Sequence, residues 1–276
     1  MKKAILIILS LIVIQNNVYS NPIVAGAKWV GSIIAPIIAE KGINTISSKL
    51  ASNDKDIKKL ESYISERNEK EAYKLLIKLI ADKKIDEIYI PMYYLRIADI
   101  ADNYYDTIKY LDIIINSYPN SEYFNDAYYL RYLYRGFIDY EEEEYDSAIE
   151  NFKTAANLNP NNEYNWALLG KAYLENKEYN KAIESIDKAV KLNPNEEGYW
   201  NWLGIAYLEN KEYNKAIESL KKAIKLNSKI SAYYRALGDA YRMINDKAQA
   251  REAYMKSLEL KPDNSKAKEG LELLNK

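Results

Sequence analysis

Apolar positions in the second half of the chain recur every 34 residues. Each copy carries a large aromatic residue followed by Leu, Gly and Tyr at spacings of three, one and three, so these residues share one side of a helix. The copies begin at Trp166, Trp200 and Tyr234, and the peptide AYLENKEYNKAIES occurs at both 172–185 and 206–219. This period predicts tandem helical hairpins, because stacked copies bury the apolar side that one copy alone leaves exposed.

Small residues at fixed places in each copy predict close helix packing. Gly170 costs a helix about 0.5–1 kcal/mol relative to alanine, so we expect a neighbouring helix to approach its backbone closely. Ala182 and Ala189 give the second helix the same clearance. Pro194 predicts the end of that helix, because proline disfavours helical geometry in the residue before it.

The pattern W-x2-L-G-x2-Y, then A-x3-F and a final Pro at 34 residues, resembles the tetratricopeptide repeat (TPR) family. Three copies in register carry the resemblance over residues 163–262. It implies an all-α fold, a right-handed α-solenoid of tandem TPR helical hairpins with a C-terminal capping helix. It also implies a concave groove lined mainly by the first helix of each hairpin.

Further copies are predicted on both sides of these three. Tyr145 and Ala148 mark a copy at 122–162, reached from a copy at 87–121 by a step of 41 residues, so its first helix is expected to run from about residue 122 to 143. Ala72 and Leu76 indicate a degenerate hairpin at 53–86. The clear copies are assigned to 163–196, 197–230 and 231–264, and residues 265–276 to the capping helix.

The first twenty residues, MKKAILIILSLIVIQNNVYS, have the basic start, short apolar run and small final residue of a secretory signal peptide. We expect cleavage before Asn21 and an exported chain, periplasmic or in the cell envelope, with membrane association left open. Residues 118–123, YPNSEY, resemble a TPR variant of periplasmic envelope proteins, which supports the same address.

Residues 22–42 are apolar and allow three interpretations within the segment 21–52. One is a helix docked on the first repeat or on a partner, with a stripe of Ile23, Ala27, Val30, Ile34 and Ile37. A second is membrane contact through small residues four apart, and a third is disorder.

Composition excludes several classes of function. Lys plus Arg number 39 against 40 Asp plus Glu, so no broad basic field exists to attract nucleic acid. The chain has no Cys and no His, which removes thiolate nucleophiles, imidazole bases and the usual zinc sites. We expect no cofactor and no metal site. A run of carboxylates at 141–144 lacks the spacing of a calcium loop.

Tyrosine is abundant, with 27 residues against three Phe. Several aromatic residues crowd 128–140, where they either pack between repeats or present a surface to a partner.

Helical-wheel positions beside the buried side of each first helix give the groove candidates. Lys171, Arg235 and Arg242 among them are suited to an acidic residue or a terminal carboxylate of a peptide. The full set is Tyr164, Ala167, Lys171, Leu174, Gly198, Asn201, Ile205, Leu208, Ala232, Arg235, Asp239 and Arg242. The paired Lys and Asn of chaperone-tail TPR proteins are not reproduced here.

The sequence therefore predicts a non-enzymatic, exported scaffold that binds a protein or peptide in its groove, within a cell-envelope complex. One alternative is a structural subunit attached to the membrane through residues 22–42. Another is a carboxylate-based enzyme acting on cell-wall glycans, for which no paired motif is found.

Overall fold

The computed structural model describes residues 30–275, and in that range its regular structure is helical, without strands. Two compact units divide it at Glu144 and Tyr145. A 3-10 turn lies at Glu87–Tyr89. The helices are α1 Val30–Glu40, α2 Ile43–Asn53, α3 Lys55–Ser65, α4 Glu69–Ala81, α5 Ile90–Ile100, α6 Tyr104–Ser117, α7 Phe124–Glu141, α8 Tyr145–Leu158, α9 Glu163–Glu175, α10 Tyr179–Leu192, α11 Glu197–Glu209, α12 Tyr213–Leu226, α13 Ser231–Met243, α14 Lys247–Leu260 and α15 Ser265–Leu273.

Unit 2, residues 145–275, is a stack of hairpins. Each helix packs on the next along the chain from α8 to α15, and the pairs α9–α10, α11–α12 and α13–α14 recur at the predicted 34-residue step. The all-α solenoid predicted from the sequence is confirmed. Its core continues from one hairpin to the next because each helix from α9 to α14 packs on the helix before it and on the helix after it.

In each of the three clear hairpins, a glycine of the first helix lies against the second helix. A Cβ atom on Gly170 would lie 2.4 Å from Cγ1 of Ile186 and 3.2 Å from the carbonyl oxygen of Ala182. The same position in the next hairpin is Gly204, where a Cβ would lie 2.6 Å from Cγ of Leu220. A side chain therefore has no room at these positions, as the sequence predicted.

The turn inside each hairpin ends the first helix with a residue in the left-handed conformation. Lys177 has φ 60°, and the backbone N–H of Glu178 donates to the carbonyl of Tyr173 at 2.8 Å. This is the Schellman arrangement, in which the left-handed residue is usually glycine. Lys211 and Asn245 take the same conformation in the following hairpins.

Unit 1 is described over residues 30–144. Its degenerate hairpin has a turn with the same left-handed conformation. Arg67, between α3 and α4, has φ 54°, and the N–H of Asn68 donates to the carbonyl of Tyr63 at 2.8 Å. Ala72 and Leu76 of α4 are completely buried. Residues 55–81 thus form a hairpin with the turn geometry of the clear repeats.

Helices α5, α6 and α7 follow this hairpin in unit 1 and pack in chain order. Helix α7 has 18 residues, against 13 in α9 and in α11. It begins at Phe124, two residues later than expected, and ends at Glu141.

The segment before these hairpins is helical where it is described. Helix α1 packs on α5, with Ile34 completely buried, Ile38 nearly so and Ala35 exposed. Among residues 30–275, no helix combines the length and the apolar character needed to cross a bilayer. The predicted signal peptide, and Ile23 and Ala27 of the apolar stripe, lie outside the described residues.

Helix α15 covers the last hairpin. Its Gly270 faces the ring of Tyr254, since a Cβ on Gly270 would lie 2.4 Å from Cζ of that ring. The same tyrosine fills the space beside Gly238. One aromatic side chain thus joins α13, α14 and α15.

We expect Gly170→Ala to destabilise the protein by about 1–3 kcal/mol, because the added methyl group overlaps Ile186 and the backbone of α10. Gly198→Ala is the matched control, since a Cβ there meets only the flexible carboxylate of Glu196 at 3.2 Å. The measurement is the urea midpoint of unfolding followed by circular dichroism. Equal midpoints for the two variants would contradict close packing at Gly170.

We expect Lys177→Gly to stabilise the protein by up to about 1 kcal/mol, because glycine adopts a φ of 60° without the strain that a side chain adds. Glu184→Gly, at an exposed position inside α10, should instead cost about 1 kcal/mol. Thermal unfolding of both variants gives the test. A lower melting temperature for Lys177→Gly would show that the turn is not strained.

Candidate functional site

The first helices of the three clear hairpins bring most of the predicted groove residues side by side. Helix α11 packs on both α9 and α13, so the three helices form one surface within unit 2. Partly or fully exposed on it are Tyr164, Leu174, Gly198, Asn201, Ile205, Leu208, Ala232, Arg235, Asp239 and Arg242. Ala167 corrects the prediction: it is completely buried, because its methyl group does not reach past the neighbouring side chains.

Lys171 lies in the floor of this surface and is only 8% exposed. Its Nζ atom stands 5.5 Å from the ring centre of Trp202, on the adjacent helix α11. Burial lowers the pKa of Lys171 to about 8, an effect that the carboxylate of Glu175 partly opposes. The ammonium is therefore mostly charged at pH 7, at a position where charge is costly.

Trp202 was not among the predicted groove residues. It is partly exposed, and its ring lies 6.1 Å from that of Tyr199. The equivalent positions in the neighbouring hairpins hold Leu168 and Ala236. That difference between otherwise similar copies is the sequence signal that could have identified it.

Two buried polar atoms of the groove accept or donate no hydrogen bond within the described part of the chain. They are Oδ1 of Asn201 on α11 and Nε of Arg242 on α13. A buried polar atom is costly unless it is hydrogen-bonded. The side chains that carry these two atoms are otherwise partly exposed on the groove surface.

Arg235 is less available than predicted. Its Nη1 atom lies 2.7 Å from Oδ2 of Asp239, one turn along α13. The other carboxylate oxygen of Asp239 accepts a hydrogen bond from the hydroxyl of Tyr254 at 2.7 Å. The Arg235 charge is therefore already neutralised by another groove candidate.

An open depression of about 340 Å³ lies at the end of the groove next to the turn between α11 and α12. Its walls are Leu208, Glu209, Lys211, Tyr213, Asp239, Arg242 and Met243. Exposed apolar surface of Met243 stands beside the charged groups. The depression is thus lined by both apolar and charged side chains.

The aromatic residues of α7 are mostly packing residues. Tyr134, Phe137 and Tyr140 are buried, while Tyr128 and Tyr132 stay partly exposed with their hydroxyl oxygens 3.3 Å apart. Residues 141–144 are all exposed, and no cluster of carboxylates suited to a metal ion occurs between residues 30 and 275.

Two family models match parts of the chain between residues 141 and 263. One, described as anaphase-promoting complex, cyclosome, subunit 3, matches residues 141–223. The other is a tetratricopeptide repeat model, which matches residues 196–263. No match to the chain was found among curated proteins.

Solved structures of MamA proteins resemble the chain. The crystal structure of one MamA protein is 31% identical, and the alignment covers 53% of this chain and 80% of that chain with a TM-score of 0.50. MamA 41-end from Desulfovibrio magneticus RS-1 is 21% identical and covers 65% of this chain and 98% of that chain with a TM-score of 0.55, which supports the fold alone. From these matches and from hairpins in register at a 34-residue period, the chain belongs to the tetratricopeptide repeat family.

Proposed function

We propose that the chain is an exported, non-enzymatic scaffold of a cell-envelope complex, and that it holds a protein partner by an extended peptide in the groove of unit 2. The partner's segment carries an acidic side chain or a terminal carboxylate. The observation that carries the proposal is the buried ammonium of Lys171 in the groove floor.

Energetics favours a binding role for this lysine. Burial of an ammonium costs stability, and an uncharged side chain of similar length would pack at the same position without that cost. A carboxylate placed over Lys171 and Trp202 would add a charge-assisted contact to an ammonium that is only 8% exposed, and such a contact is stronger there than in open water. Asn201 and Arg242, which are partly exposed on the same surface, would contact the same peptide.

The scaffold role also agrees with the side-chain chemistry of the chain. It contains no Cys and no His, so most nucleophilic and acid–base mechanisms lack their usual residues.

Export is supported by residues 1–20. We expect amino-terminal sequencing of the protein from the envelope fraction of host cells to begin at Asn21. Protein with an intact Met1 in the cytosol would contradict the proposed export.

Photocrosslinking in intact host cells tests the groove. A crosslinking amino acid at Ile205 lies in the groove, and one at the exposed Glu218 of α12 is the matched control. We expect partner adducts at Ile205 that are absent at Glu218. Identical adducts at both positions would count against the groove.

Lys171→Met should stabilise the protein at pH 7 by about 1–3 kcal/mol and weaken partner binding at least tenfold, because it removes a buried charge that the ligand needs. The folded-state pKa lies below the unfolded value of 10.5, so the gain is full below pH 8 and shrinks as pH rises towards 10.5. Urea unfolding and binding titration measure the two effects. The control is Lys222→Met, which removes an exposed lysine whose Nζ lies 4.1 Å from the ring centre of Trp200. We expect it to change the stability and the partner binding very little.

Binding of the crosslinked partner segment should weaken as pH rises through about 8, because Lys171 then loses its proton. Between pH 8.5 and 9.5 we expect a fall approaching tenfold, measured by fluorescence anisotropy. Lys171→Arg keeps its charge over this range and should flatten the profile. A wild-type profile that stays level to pH 10 would exclude Lys171 as the carboxylate partner.

A further inference from the structure

Helix α5 of unit 1 is buried on every side, unlike the first helices of the open groove. Ten of its 11 residues are buried, against eight of 13 in α9, seven of 13 in α13 and four of 13 in α11. Something therefore covers the side of α5 that the other first helices leave open.

The register of the repeats identifies that side. Helix α6 begins at Tyr104 after a three-residue turn, just as α10 begins at Tyr179. Counting back equal distances from the two tyrosines pairs Met92, Arg96 and Asp99 with Ala167, Lys171 and Leu174. Met92, Arg96 and Asp99 thus occupy the groove positions of α5.

Helix α1 is the element available to cover them. Helices α3 and α4 of the preceding hairpin and the second helix α6 pack on α5, and α1 packs on it as well. Ile34 and Ile38, four residues apart on one side of α1, are buried, and Ala35 and Ala39 are exposed. We infer that α1 lies over the groove side of α5, where Met92 is completely buried.

Charged groups lie beside the contact between α1 and α5. Arg96 is paired with Glu61 of α3, so its charge is not left unpaired under the apolar helix. Just beyond α1, Nζ of Lys41 lies 3.1 Å from Oδ2 of Asp126 and 3.1 Å from the carbonyl oxygen of Glu122. It also stands 5.4 Å from the ring centre of Tyr123. Lys41 thus ties the end of α1 to the first turn of α7.

We propose that the groove of unit 1 is a docking surface for a short amphipathic helix, and that α1 is its resident intramolecular ligand. An outside partner would present the same chemistry: two branched aliphatic residues four apart, followed three residues later by a lysine or arginine. This surface is separate from the groove of unit 2 and takes an apolar helix instead of an extended acidic peptide.

The test uses the full chain and a fluorescent peptide of residues 30–42. Ile34→Asp with Ile38→Asp should release α1 and leave the groove open, so this variant should bind the peptide at least tenfold more tightly than the wild type. Ala35→Asp with Ala39→Asp adds the same charges on the exposed side of α1 and should behave like the wild type. A peptide carrying aspartate at both isoleucine positions should not bind any chain.

A photocrosslinker at position 37 of the peptide locates the contact. Adducts within residues 90–100 and 122–126 are expected; adducts confined to residues 163–243 would overturn the proposal. Circular dichroism checks folding, and Ile34→Ala with Ile38→Ala replaces the aspartate variant if helix content falls. Equal binding to wild type and released chain, or failure of a folded released chain to bind, would also refute it.

Discussion

The contact between a glycine of the first helix and the second helix of the same hairpin is the constraint on which the rest of unit 2 depends. At Gly170 the backbone of α9 comes so near α10 that even a methyl group would overlap Ile186. With the second helix fixed there, the first helices must stand side by side, because each packs on the next hairpin. The groove is the side of those helices that neither contact uses. Partly exposed residues on that side, such as Asn201 and Arg242, can therefore change without altering the contact at Gly170.

The fold was predictable because the residues that determine helix packing recur in the sequence at a constant period. Glycine, alanine and aromatic residues recur at one step, and that step specifies both the helices and their partners. The hairpin turns were less readable: the left-handed positions hold Lys177, Lys211 and Arg67 where glycine would have given a clear signal. Their conformation follows from the hydrogen bonds that close the helix, and those bonds do not depend on the side chain.

The sequence allowed us to predict which residues lie on the groove surface, but not the burial and contacts of each one. Register alone placed Asn201 and Arg242 on the groove surface, since helical geometry decides which side they occupy. The ion pair of Arg235 with Asp239 was also readable, from their spacing of four residues on one helix. The contact of Lys171 with Trp202 was not, because it depends on the separation of α9 and α11, which no single helix specifies. Burial of Ala167 has the same origin.

The first helices of both units have a groove side. The side chains on it include polar and charged groups in unit 2, whereas helix α5 of unit 1 carries the apolar Met92 there. A groove bearing lysine, asparagine and arginine remains stable in water, so the first helices of unit 2 can stay open. At the position equivalent to Ala167, helix α5 carries Met92, whose exposure would cost free energy in proportion to its apolar area. An apolar helix such as α1 removes that area from water and adds Ile34 and Ile38 to the core. Because the cover belongs to the same chain, it needs no partner to be present, and a partner must offer more contact than α1 to replace it.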